Sequence, residues 1–268
     1  MPTFSWLVRA CHPEPTAAVT VLTATLVGFS GGNPLVAGAA VLSGQLSVGW
    51  SNDWVDADRD RAVHREAKPV VQGLPVATLR SAALLALVAC VPLSLAMGWY
   101  AGAGHLVAVA SAWAYNARLK GTVLSWVPYA LSFGLLPNVV ALTSPGHPTA
   151  PWWATAAGAL IGLGAHGANV LPDLDDDTVT GVRGLPQRLG RTATSVLAGA
   201  SLLGATVLLA VGPGASALGW TAVGVAALGF AGGLVLGRAP GSRAPFISVI
   251  LVAVVDVALL LVRGGSLT

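Results

Sequence analysis

Apolar residues run through this chain in nine long stretches, separated by short segments rich in Gly, Pro, Ser and Asn. Each stretch has about the length of a helix that crosses a membrane, which takes roughly 20 residues. The stretches are continuously apolar and lack the alternation of strands, so they predict helices. The predicted spans are residues 16–31, 34–51, 79–98, 101–117, 122–143, 151–171, 193–212, 215–237 and 244–263.

The composition supports a membrane environment for most of the chain. Of the 268 residues, 54% are hydrophobic and only 9% are charged, and the mean hydropathy is +0.74. Soluble domains carry roughly 25% charged residues, so most of this chain is not expected to face water. We therefore predict a single all-α integral membrane domain over residues 1–268, with about nine transmembrane helices.

Basic residues are predicted to lie on one side of the membrane. The connections after spans one, three, five and seven contain no Lys or Arg, and 13 of the 14 basic residues lie at the opposite ends of the spans, Arg263 being the exception. Lys and Arg mark the cytoplasmic side of a membrane. We therefore predict a cell-membrane protein with its N-terminus on the cytoplasmic side and its C-terminus on the opposite side. The sequence lacks a basic face interleaved with aromatic residues, so nothing in it indicates a nucleic-acid partner.

Carboxylates are concentrated in two short segments that follow the second and sixth spans. Asn52–Asp60 contains four aspartates and Asp173–Asp177 four more, which together make eight of the chain's eleven acidic residues. A chain with so few charges is not expected to cluster them in ordinary solvated loops. An asparagine precedes each cluster, which suggests a parallel duplication of spans one to four and five to eight, with a ninth helix appended.

Helical spacing predicts which of these side chains face one another. If the helices continue into the segments, Asp58 and Asp175 point away from the shared faces. The residues predicted to face the site are Asn52, Asp53, Asp56, Asp60, Asp173, Asp176 and Asp177.

The predicted ligands are all oxygen atoms, and this indicates which metal they would bind. Without Cys or paired His, such a set favours Mg²⁺, which typically uses one or two carboxylates and bridges to substrate phosphates. Four basic residues flank the two segments and could hold a diphosphate from the other side. They are Lys68, Arg118, Lys120 and Arg183.

The first of these segments resembles a known motif. Asn52–Asp60 matches the N-D-x-x-D-x-x-x-D motif of the UbiA superfamily of intramembrane prenyltransferases without a mismatch. Lys68–Gly73 resembles the R-P-x-x-x-G segment that follows it, with Lys in place of Arg. Tyr115–Lys120 resembles the Y-x-x-x-L-K element of the same family.

The second acidic segment extends the resemblance over most of the chain. Asp173–Asp177 and Gly181–Gly190 are similar to the second motif and its G-x-R-T-L-P-x-x-x-G tail, with Gly184 in place of Thr. One departure lies upstream, where the family often has Arg-Pro and this chain has His12 and Pro13.

The resemblance implies a helical bundle around a cavity that holds an isoprenyl diphosphate on two Mg²⁺ ions. The prenyl group would pass to a lipophilic or aromatic acceptor after the allylic diphosphate ionises. The seven residues predicted to face the site would hold the metals, and the four basic residues would contact the diphosphate. Asp56, Asp173, Tyr115 and Lys120 would carry the catalysis.

Two other functions compete with prenyl transfer. A terpene cyclase of the same superfamily would ionise the same diphosphate, but the prenyl cation would then react within its own carbon chain. A cation or phosphate transporter would need a pathway near the midplane, where Asp256 is the one acidic residue. The sequence assigns no role to Asp256 or to His166, and it identifies neither the acceptor nor the prenyl length.

Overall fold

The computed structural model describes residues 3–236 and 244–263 of the chain. Within these residues it contains nine long helices in the order of the predicted spans, and no strand. The long helices are α2 (Pro13–Phe29), α3 (Pro34–Val55), α5 (Val76–Leu95), α6 (Trp99–Ala117), α7 (Val127–Leu142), α8 (Trp152–Val170), α10 (Leu185–Val211), α11 (Ala217–Leu236) and α12 (Ala244–Val262).

Three short helices accompany the long ones, and two of them contain part of the acidic segments. They are α1 (Thr3–Ala10), α4 (Ala57–Ala62) and α9 (Leu174–Val179). In the part of the chain that the structure describes, four helical stretches are long and apolar enough to cross a membrane, and two shorter apolar helices accompany them. The four are Val76–Leu95, Trp152–Val179, Leu185–Val211 and Ala217–Leu236; the two are Val127–Leu142 and Phe246–Val262.

The helix ends follow local chemistry. Asn33 caps α3 by accepting hydrogen bonds from the backbone N–H groups of Leu35 and Val36 at 3.1 and 3.2 Å. Proline occupies one of the first two positions of α3, where its missing N–H costs no helical bond. The sequence pattern therefore places this helix start correctly to the residue.

Two sequence predictions differ from the structure. Helix α10 begins at Leu185, eight residues before the predicted span, and Gly190 inside it has a φ of 78° that kinks the helix. The polar residues before this kink lie at the charged end of the bundle, so hydropathy alone missed them. Helix α1 was not predicted either. The predicted turn at 239–241, with Arg238 and Arg243 beside it, lies outside the described residues.

The bundle is built from neighbouring antiparallel helices. Helix α3 packs on α2, α5 and α6, while α8 packs on α7, α10 and α12. Helix α6 packs on α7 and joins the first half of the chain to the second. The connections after α3, α6 and α8 all lie at one end of the bundle, where ion pairs join them.

Close helix contact depends on glycine at the crossing of α7 and α8. A Cβ atom added at Gly162 would lie 2.3 Å from the backbone oxygen of Tyr129. Small residues let helix backbones approach in lipid, where packing is the main source of association. This crossing also positions Tyr129 and His166 for the site described below.

We expect Gly162→Ala to destabilise the protein, because the added methyl group meets backbone that has no room to move. Overpacking of this kind typically costs about 1–3 kcal/mol. Thermal unfolding in detergent measures the effect. Gly224→Ala in α11 is the matched control, since nothing lies within 4 Å of its added Cβ atom. Equal melting temperatures for the two variants would contradict the importance of this crossing.

Candidate active site at the charged end of the bundle

The first acidic segment stays almost helical past the end of α3. The backbone N–H of Asp56 donates to the oxygen of Asn52 at 2.9 Å, and that of Asp60 donates to the oxygen of Asp56 at 2.8 Å. Asp53 and Asp60 are consequently directed into the protein, each with 1% of its side chain exposed. Asp58 is fully exposed and contacts Arg61, which agrees with its predicted orientation away from the site.

The second acidic segment follows α8 through a single 3₁₀ turn, Leu171–Asp173, before α9 begins. Asp177 is the least exposed of its aspartates, at 17%, whereas the side chain of Asp173 is 56% exposed. Asp176 is also exposed. Asp175 pairs with Arg191 at 2.8 Å on the outer surface, away from the other carboxylates.

Arg65 joins the two acidic segments. Its Nη1 lies 3.3 Å from Asp60 Oδ1, and its Nη2 donates to Asp177 Oδ1 at 2.9 Å. The distance from Nη1 to Asp173 Oδ2 is 4.0 Å. Within the described residues, Arg65 is the one basic side chain that forms ion pairs with both segments. The sequence analysis gave it no role, although its position between Asp60 and Lys68 was a signal.

Burial and charge act in opposite directions on the Arg65 guanidinium. Burial lowers the pKa of Arg65, but the hydrogen bond to Asp177 and the negative charges of Asp173, Asp177 and Asp60 outweigh it and raise that pKa. The guanidinium therefore stays charged and offsets the repulsion between carboxylates of the two segments.

Asp53 anchors a second group of charges at the N-terminal side. Lys68 Nζ donates to Asp53 Oδ1 at 2.7 Å, and His12 Nε2 lies 3.2 Å from the same oxygen. His12 has a φ of 53°, a left-handed conformation at the start of α2. Its ring contacts Asp53 from the position where the resembled motif often has arginine.

Asp56 holds two basic side chains on one oxygen. Its Oδ1 accepts from Lys120 Nζ and lies 3.1 Å from Arg59 Nη2. Burial lowers the pKa of Lys120, while the charge and hydrogen bond of Asp56 oppose that shift only in part. The sequence predicted Lys120 for the site but not Arg59.

The carboxylate oxygens that face inward are suitable for a metal. Asp53 Oδ2 and Asp60 Oδ2 are buried and have no hydrogen-bond partner among the residues that the structure describes. Burial raises the pKa of Asp60, helped by the charges of Asp56 and Asp53, while Lys68 and Arg65 oppose the shift. Buried carboxylate oxygens that lack partners are the type of group that a divalent cation would satisfy.

The carboxylates do not converge on one point as they stand. Among the described residues, no three Asp, Glu, His or Cys side chains are close enough to share one ion. Asp53, Asp56 and Asp60 each contact a basic side chain instead. The oxygen chemistry fits Mg²⁺, and binding would require rotations of these side chains.

A cavity of about 190 Å³ opens beside Lys120. Its wall includes three basic side chains and no acidic one. The lining residues are Val55, Arg59, Asn116, Ala117, Arg118, Lys120, Gly121, Thr180, Gly181 and Val182. Arg118, which the sequence predicted as a diphosphate contact, therefore lies beside Lys120 on one cavity wall.

The other predicted residues are less engaged. Arg183 is exposed, and its backbone oxygen accepts from Arg188 Nε at 2.9 Å. Neither Arg118 nor Arg183 forms an ion pair within the described part of the chain. Asn52 is half-buried in the last turn of α3. The metal and diphosphate roles of these residues remain predictions.

Aromatic rings lie next to the charged cluster. Tyr115 and Tyr129 stack edge to face with centroids 5.3 Å apart, and His166 lies 5.8 Å from Tyr115 and 5.0 Å from Tyr129. His166 Nε2 lies 3.0 Å from Ser125 Oγ, which also accepts the backbone N–H of Leu185 at 2.9 Å. Three segments of the chain are thus tied together around Tyr115.

The geometry can be compared with known proteins. The model of the UbiA prenyltransferase family matches residues 15–255, which is most of the chain. The chain belongs to the UbiA prenyltransferase family. As a member of this family with long apolar helices, it is an integral membrane protein.

Individual relatives of this UbiA family member agree with that assignment. A 4-hydroxybenzoate octaprenyltransferase from Ralstonia nicotianae (strain ATCC BAA-1114 / GMI1000) is 28% identical over 192 residues, which is 69% of this chain. The match spans 60% of the relative's own length.

Solved structures share the fold. A UbiA homolog from Archaeoglobus fulgidus bound to GPP and Mg²⁺ has a TM-score of 0.69 at 16% identity, over 97% of this chain and 99% of the other. The apo structure of a UbiA homolog from Aeropyrum pernix K1 has a TM-score of 0.68 at 21% identity, over 92% and 98%. These likenesses confirm the predicted all-α membrane fold.

We expect Arg65→Gln to destabilise the protein, because it leaves Asp60 and Asp177 without their shared cation. Removing one partner of a buried ion pair is strongly unfavourable, and we expect a loss of about 2–4 kcal/mol here. Arg61→Gln makes the same charge change but breaks only an exposed pair with Asp58. Unfolding in detergent, followed by circular dichroism, should therefore separate the two variants, and identical curves would contradict the bridging role.

Proposed function

We propose that this protein transfers a prenyl group from an isoprenyl diphosphate to a lipophilic or aromatic acceptor, with Mg²⁺ as its cofactor. The observation that carries the proposal is the meeting of two acidic segments at one end of the bundle, linked by Arg65. Carboxylates on one side and a cationic cavity on the other are what a metal-bound diphosphate needs. Family membership supports the same conclusion.

The predicted metal ligands divide between the two segments. Asn52, Asp53, Asp56 and Asp60 would bind from the end of α3, and the second segment would contribute Asp173, Asp176 and Asp177. The unpartnered oxygens Asp53 Oδ2 and Asp60 Oδ2 are the first candidates. Bound Mg²⁺, as two ions, would offset the negative charge that develops on the departing diphosphate.

Basic side chains would hold the diphosphate from the opposite direction. Lys120 is held in place by Asp56, so it is pre-set for charge that develops on the diphosphate as the allylic bond breaks. Arg118 shares its cavity wall, and Lys68 is positioned by Asp53. Arg183, which is exposed, would have to turn inward from the loop before α10.

The aromatic cluster fits the other product of ionisation. An allylic cation is stabilised by the face of a nearby ring. Tyr115 contacts the rings of Tyr129 and His166, and it is close enough to Asp56 and Asp177 to be affected by their charges. Tyr115 would thus lie beside the reacting carbon and exclude water from it. The site residues Asp56, Asp173, Tyr115 and Lys120 would together carry the ionisation.

Related proteins support the substrate class. The Archaeoglobus homolog binds GPP and Mg²⁺, and the Ralstonia relative is a 4-hydroxybenzoate octaprenyltransferase. By this likeness we propose an allylic prenyl diphosphate as donor and an acceptor of aromatic or other lipophilic character. From the alternation of basic residues along the chain we propose that the site lies at the cytoplasmic face of the cell membrane, with the C-terminus opposite.

Asp256 does not support a transport pathway. It is fully buried, and its Oδ1 lies 2.6 Å from Thr206 Oγ1, so this pair joins α12 to α10. A midplane acid bonded between two packed helices fits a structural hydrogen bond. The carboxylates of the two acidic segments lie at one end of the bundle, where they fit an enzyme site better than a transport route.

We expect Asp56→Asn and Asp173→Asn each to reduce prenyl transfer by at least about 100-fold, the scale of losing a key electrostatic contact. Asp58→Asn and Asp175→Asn are matched controls, because they change the same charge in the same segments but lie on the outer surface. Product formation from radiolabelled prenyl diphosphate in membranes measures this. Full activity in Asp56→Asn or Asp173→Asn, or equal losses in all four variants, would refute the assignment.

Product analysis distinguishes prenyl transfer from cyclisation. We expect incubation with a prenyl diphosphate and Mg²⁺ alone to give no terpene hydrocarbon, because the aromatic cluster would present the cation to a second substrate. Addition of an aromatic acceptor such as 4-hydroxybenzoate should give a prenylated product, detected by mass spectrometry. A cyclic hydrocarbon or terpene alcohol formed without acceptor would instead identify a cyclase.

A further inference from the structure

The cavity beside Lys120 has an excess of positive charge. Arg59, Arg118 and Lys120 contribute to its wall, and no acidic side chain does. The nearest balancing charge is Asp56, whose single Oδ1 atom is shared by Arg59 and Lys120. The three cations line the wall itself, while the charges of Asp56 and Asp177 act on them from outside it. A wall of this kind attracts an anion into a partly buried space.

Arg59 reaches this cavity because of its place on α4. The helix directs the Arg59 side chain inward, with 25% of it exposed, whereas Arg61 points outward and pairs with the fully exposed Asp58. Only Nη2 of Arg59 contacts Asp56, at 3.1 Å. The planar guanidinium has five N–H donors in a fixed geometry, so donors remain for an oxyanion in the cavity.

We propose that Arg59 is a third cation that binds the diphosphate, beside Lys120 and Arg118 in the same cavity. The proposal rests on the proposed function, since it takes the prenyl diphosphate as the donor substrate. Asp56 acts as the positioning group that holds both Arg59 and Lys120 at the cavity wall. Sequence motifs alone did not indicate this residue.

The location of the cavity favours the diphosphate over other anions. Its volume of about 190 Å³ is well above the roughly 10–15 Å³ that one water molecule needs, so a phosphate or diphosphate group has room there. An acceptor carboxylate is the other source of an oxyanion. The diphosphate is favoured because Asp56, which orients two of the cations, belongs to the segment that would bind the metals.

The test is binding of inorganic diphosphate to the purified full chain in detergent with Mg²⁺, measured by isothermal titration calorimetry. We expect Arg59→Gln to raise the Kd at least tenfold. Arg61→Gln, a charge-matched change two residues away on the same helix, should stay within twofold of the wild type. Arg59→Lys keeps the charge but loses the planar set of guanidinium donors, so its Kd should fall between those of the two Gln variants. It serves as the test if Arg59→Gln does not fold.

Other outcomes have definite meanings. Equal Kd values for Arg59→Gln and Arg61→Gln would overturn the proposal, as would a wild-type Kd in Arg59→Lys if that variant alone folds. An unchanged diphosphate Kd with a raised KM for the acceptor would also overturn it and would assign the cavity to the acceptor's anionic group. Diphosphate binding that depends on Arg59, in a protein that forms no prenyl product, would leave the inference standing and refute prenyl transfer.

Discussion

Repulsion among aspartates at one end of the helix bundle is the constraint on which the rest of the structure depends. Asp53, Asp56, Asp60 and Asp177 come from two distant segments and lie within a low-dielectric environment, where like charges are costly. Each of them contacts a basic side chain. The charged end is therefore one ion-paired cluster, and we propose that a metal-bound diphosphate enters it by exchanging partners with both signs of charge.

The helices serve this cluster by bringing its parts to the same end. Four long helices, α5 to α8, separate the two acidic segments and return the chain to the same side, and α6 packing on α7 joins the two halves. The N-terminal segment adds to this, because the Nε1 of Trp50 donates to the backbone oxygen of Leu7 and fixes α1 over the end of α3. His12 follows α1 directly and is thereby held against Asp53.

Much of this arrangement could be predicted from the sequence. Continuous apolar stretches predicted the nine helices, since a membrane span depends mainly on length and composition. The two acidic segments were evident because charge is so rare elsewhere. Helical spacing predicted that Asp58 and Asp175 point outward, as the structure shows, but it also predicted that Asp173 and Asp176 face the site, and both are exposed. The alternation of basic residues predicted that the charged connections share one end.

The remaining features depend on tertiary contacts that no local pattern encodes. Arg65 lies in a loop without periodicity, and its contact with Asp177 joins residues 112 positions apart. Arg59 and Arg61 are equivalent by composition, and only the orientation of α4 separates them. The early start of α10 was missed because its first turns are polar, and the kink at Gly190 interrupts the pattern.

A structure of the protein with Mg²⁺ and an unreactive prenyl thiodiphosphate tests the central claim most directly. The account predicts metal ions between Asp53, Asp56 or Asp60 on one side and Asp173 or Asp177 on the other, with the diphosphate against Lys120. It predicts that Asp53 and Asp60, which now pair with basic side chains, turn toward the ions. Metals bound elsewhere, or a diphosphate remote from both acidic segments, would contradict the account.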